Sequence, residues 1–73
     1  MSPEFKYMKE CVSADLTLFL IVDYNLSLSD ALDILYESET YSKLSNPDTG
    51  LYFRGSRYVY SYLQNELQTG VFN

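Results

Sequence analysis

The chain has 73 residues and a formal net charge of −5, with 47% hydrophobic and 16% aromatic residues. That length allows one domain whose core supplies roughly 3–5 kcal/mol, and that apolar share excludes a disordered chain. The absence of histidine removes the commonest general base, and an acidic balance disfavours phosphate backbones.

Pro3 and Glu4, after Ser2, read as a helix start: a cap, a proline in the first turn and an acid at the positive end. Apolar residues then recur at Phe5, Met8, Val12, Leu16 and Phe19, the spacing of one helical face. Tyr7, Cys11, Leu18 and Val22 widen that stripe, while Lys6, Lys9, Glu10, Ser13 and Thr17 fall opposite. The spacing predicts a helix over 3–24. By composition alone the run Leu16 to Val22 could also be a strand. Seven residues between Asp15 and Asp23 are too few for a membrane span, which needs ~20. Cys11 is the single cysteine, so no internal disulfide forms and a reducing cytoplasm is expected. With no histidine to activate it, Cys11 reads as a small buried hydrophobe. Asp15 falls within the apolar arc. It needs Arg54, Arg57 or a tyrosine hydroxyl as partner, or it marks an interface.

After a break at Asn25–Leu26, Ser27 and Asp30 resemble a capping box, with Ser29 as a rival cap. The second helix runs to Ser38, with Leu28, Ala31, Leu32, Leu35 and Tyr36 expected inside. Asp30, Asp33 and Glu37 form an acidic stripe outside. Like charges three and four apart cost a few tenths of a kcal/mol per pair. The stripe is therefore either a solvated face or a docking face for a basic partner.

A short third helix over 39–45 turns Tyr41 and Leu44 inward. Asn46-Pro47-Asp48-Thr49-Gly50 has turn chemistry. As a calcium loop it fails, with Leu51 at the glycine position and Arg57 at the bidentate glutamate position. Leu51-Tyr52-Phe53 reads as extended or irregular. Ser56 is expected to cap a fourth helix over 57–68, with Val59, Tyr60, Leu63 and Leu67 as its core row and Gly70 at its end. Tyr52, Phe53, Arg54, Arg57, Tyr58 and Tyr62 gather the residue types that dominate interface hot spots.

The expected fold is all-α, a single three- to four-helix bundle over 1–73 with an irregular Pro/Gly-containing connection from Pro47 to Gly55. No catalytic, cofactor or metal residues are assigned. The candidate partner-binding residues are Asp30, Asp33, Glu37, Tyr52, Arg54, Arg57, Tyr58 and Tyr62. Charge is uneven: residues 1–40 hold eight acids against Lys6 and Lys9. That points to a protein partner that is basic or offers a complementary apolar groove. A homo-oligomer, a homodimer among them, is the alternative, and nucleic-acid association comes third.

The runs Ser29-Asp30-Ala31-Leu32-Asp33-Ile34-Leu35-Tyr36, Ser38-Glu39-Thr40-Tyr41, Thr49-Gly50-Leu51-Tyr52 and Tyr58-Val59-Tyr60, with Leu44 and Glu66-Leu67, resemble a group of small bacterial proteins of unknown function. Such proteins are often encoded beside other small genes, some of toxin type. The resemblance covers residues 15–68 and carries no catalytic signature. It implies a bacterial, cytoplasmic protein that works through a partner, antitoxin-like or regulatory.

Overall fold

The computed structural model describes residues 3–69. Among them are four α-helices: α1 Pro3–Tyr24, α2 Leu28–Glu37, α3 Glu39–Leu44 and α4 Ser56–Thr69. Two 3-10 turns, Pro47–Thr49 and Leu51–Phe53, join α3 to α4. The fold is all-α, as expected; Ser2 and Gly70 lie outside the described residues.

Each boundary has a local cause. α1 ends where Asn25 takes φ 54°, a left-handed conformation that asparagine tolerates. The Leu26 amide then reaches back to the Ile21 carbonyl at 3.2 Å, as in a Schellman cap. Ser27 opens α2 by accepting from the Asp30 amide at 3.1 Å, so it, and not Ser29, is the cap. The axis turns by 119° between α1 and α2. Ser38 closes α2 and opens α3 at once. Its hydroxyl donates to the Leu35 carbonyl at 2.6 Å and accepts from the Tyr41 amide at 3.0 Å.

The start of α3 is closed from a distance. The Glu66 carboxylate on α4 accepts from the Glu39 amide (2.8 Å), the Thr40 amide (3.0 Å) and the Thr40 hydroxyl (2.9 Å). Orphan amides of a first helical turn are thereby met by an anion. This bond set also buries Thr40 completely.

α2 and α4 both pack on α1, and α3 bridges α2 and α4. The core draws Phe5, Val12, Leu16 and Leu20 from α1, Ala31 and Leu35 from α2, and Leu44 from α3. Leu51 joins them from the second 3-10 turn, and Val59, Tyr60 and Leu63 from α4. Among the described residues no buried side-chain polar atom lacks a partner.

Several expectations are corrected. Leu51–Phe53 is a 3-10 turn and not extended, because Gly50 at φ 69° turns the chain and its carbonyl accepts from Phe53. Gly55, at φ 85°, supplies the carbonyl that starts α4 through Val59. Ser56 is therefore the first residue of α4, not its cap, and its hydroxyl donates to Asp15. Asp15 is exposed and uses neither arginine nor tyrosine. Thr17, expected outside, is buried, since its hydroxyl bonds the Ser13 carbonyl at 2.8 Å and leaves no polar demand. Leu67, expected in the core, is exposed, one turn past Leu63.

Tyr60 shows what burial does to a polar tip. Its ring is buried, and its hydroxyl donates to Asp23 at 2.7 Å. Burial first, and then the bond and charge of Asp23, raise its pKa far above the ordinary tyrosine value. A proton held more tightly in the folded state gives stability that is complete below pH ~10 and lost as pH climbs above it. In a titration followed at 295 nm, Tyr60 should ionise only as the protein unfolds. Tyr60→Phe should flatten the loss of stability above pH ~10. An unchanged alkaline slope in that variant would rule out this assignment.

Candidate interaction surface

α1 has two apolar faces. At 100° per residue, Tyr7, Cys11, Ala14, Leu18 and Val22 fall within one arc of about 80°, opposite the row of Phe5, Val12, Leu16 and Leu20. All five are exposed. A helix that is apolar on both sides has more surface to cover than one small core can. Cys11 is thus corrected from buried to exposed. A hydrogen bond with it raises the pKa of Tyr7 one turn earlier.

This outward row borders a groove of about 520 Å³ between α1 and α2. Its α1 wall runs from Lys9 to Ile21 through Glu10, Ser13, Ala14, Thr17 and Leu18. Its α2 wall is Leu28, Leu32 and Tyr36, one residue per turn. Leu28 and Tyr36 were expected inside and are instead 60% and 57% exposed. The physical reason is that Ala31 and Leu35 already fill the contact with the core, which leaves the adjacent row turned to solvent. At one end the Tyr36 and Tyr41 rings meet edge to face at 5.1 Å, and the Lys9 ammonium lies 5.8 Å from the Tyr41 centroid. Ser13 and Thr17 donate their protons to the Lys9 and Ser13 carbonyls of α1 itself. What the groove can do is take up apolar side chains.

The residues singled out from sequence fall elsewhere. Asp30, Asp33 and Glu37 are exposed along α2, as read. On the helical wheel they stand about 60° (Asp33), 100° (Glu37) and 120° (Asp30) from Tyr36, the near edge of the Leu28–Leu32–Tyr36 row. The aromatic–arginine cluster is split into three. Tyr52 packs edge to face on buried Phe5 (4.7 Å) and against Phe53 (4.2 Å). Arg57 lies 4.4 Å over Phe19. Arg54, Tyr58 and Tyr62 form a ladder on α4, with Arg54 5.5 Å over Tyr58 and the two hydroxyls 2.9 Å apart. That bond raises the pKa of Tyr62.

Among the described residues, no group of three or more histidine, cysteine, aspartate or glutamate side chains is placed to hold a metal ion. No single described helix is long and apolar enough to cross a membrane; α1 and α2 meet that test only jointly, across their 119° bend. Compared with known proteins, the chain matches no family model, no curated protein and no solved structure.

Proposed function

We propose that this protein is a non-catalytic interaction module that binds a partner protein along the α1/α2 groove. One observation carries the reading: Leu18, Leu28 and Tyr36 stand more than half exposed around a single apolar groove. Scattered apolar residues are ordinary on a surface, but a contiguous set rimmed by polar groups marks a binding site. The acidic stripe of α2 steers the encounter. The groove, rather than the Tyr/Arg cluster, anchors it, because the cluster is split, with Tyr52 packed on buried Phe5 and Arg57 laid over Phe19. The resemblance of residues 15–68 implies that this takes the form of an antitoxin-like or regulatory role in the bacterial cytoplasm.

The test is capture of the products of neighbouring genes by the tagged protein, wild type against Leu18→Asp. Leu18 is 57% exposed, so the variant should fold as the wild type does by circular dichroism. Capture should fall at least about tenfold, the loss typical of an anchor residue. A partner held equally well by both proteins would refute the groove as the docking site.

A further inference from the structure

The groove's dimensions and charge say what kind of segment fills it. This step rests on the docking reading above. The α1 wall from Lys9 to Ile21 is about 18 Å long at 1.5 Å per residue, and the α2 wall from Leu28 to Tyr36 about 12 Å. Both walls are rows of side chains spaced by a turn, so the complementary object is a helix of about three turns with its own apolar row. Of the seven acids on the two helices that build the groove, Asp15 and Asp23 are bonded to Ser56 and Tyr60 of α4. Glu10 lines the groove beside Lys9, and Glu4, Asp30, Asp33 and Glu37 are exposed around it, against Lys6 and Lys9. Lys9 is drawn toward the Tyr41 ring. A second copy of the chain would bring an equally acidic face against this one. We infer that the occupant of the α1/α2 groove is a basic amphipathic helix of a partner protein, its leucine-like row seated on Leu18, Leu28 and Tyr36 and its lysines and arginines facing Glu10 in the groove and the exposed acids of α2 at its edge.

The experiment uses three synthetic peptides of about 16 residues, since shorter helices are marginal in water. One has an apolar row at i, i+4, i+7 and i+11 with lysine and arginine flanks. The second keeps the row with glutamate flanks, and the third scrambles the basic sequence. Calorimetry at low salt with the full chain should show the patterned basic peptide binding at least about tenfold tighter than either control. Its advantage over the acidic peptide should shrink at 1 M salt, where charges are screened within about 3 Å. Leu18→Asp adds a further acid yet should abolish the binding, because the apolar seat is gone. Leu28→Asp provides a second variant on the other wall and should do the same.

Equal binding of patterned and scrambled basic peptides overturns the inference, since charge alone would then account for it. Equal binding of basic and acidic patterned peptides overturns it too. So does a dimer at tens of micromolar that Leu18→Asp turns into a monomer, which would name a second copy as the occupant. Those failures leave the docking reading standing as long as Leu18→Asp abolishes capture of a natural partner. Capture indifferent to that variant removes both.

Discussion

Leu16→Ala is expected to leave the protein largely unfolded at 25 °C, whereas Leu18→Ala, two residues on, should leave stability within about 0.5 kcal/mol of wild type. Leu16 is fully buried and Leu18 is 57% exposed on the opposite side of the same helix. Truncating a buried leucine costs about 2–5 kcal/mol, the lost transfer energy plus the cavity left behind. A core of this size supplies roughly 3–5 kcal/mol in total. The far-ultraviolet circular dichroism and proton-NMR dispersion of the two variants decide the matter. A folded Leu16→Ala beside an unfolded Leu18→Ala would mean that the two apolar faces of α1 have been exchanged, and the groove would then lie in the wrong place.

Glu66→Ala should be the most damaging change of any charged residue. The carboxylate meets two amides and one hydroxyl at the start of α3. Its removal strands the fully buried Thr40, and the loss of partners for buried polar groups costs about 1–3 kcal/mol. In a chain of this size that lowers Tm by roughly 4–24 °C. Glu66→Gln keeps the side chain's length and one acceptor oxygen but turns an amide toward one of the donors, so it should fall between wild type and alanine. Thermal melts of the three proteins give the ranking. Glu66→Ala melting with the wild type would show that water replaces the carboxylate without loss.

The parts of the fold legible in the sequence are those set by near neighbours. α1 spans 3–24 as its apolar spacing implied, and Ser27 caps α2 through a bond three residues long. The outward stripe of Asp30, Asp33 and Glu37 follows from the same periodicity. What escaped has a long-range cause. Thr40 is buried because Glu66 reaches it across 26 positions, and no local pattern announces such a bond. Asp15 finds Ser56 across 41 positions. The groove escaped for a different reason. Periodicity identifies rows of apolar residues but does not rank them, and α1 and α2 each carry two rows where one fits the core. The excess was visible as the width of the α1 arc; which row faces outward was decided by the packing of α4 and Ala31.

The Glu66 bond also bears on how the chain is made. At ~5–20 residues per second, a ribosome delivers Glu66 roughly one to five seconds after Thr40. Helices form in about a microsecond and small chains collapse nearly as fast. Through that interval the chain up to Thr40 lacks the anion that closes α3 and the Val59, Tyr60 and Leu63 side chains that complete the core around Leu16 and Leu20. Until α4 is made, both apolar faces of α1 lack cover, and a chain in that condition is open to wrong contacts.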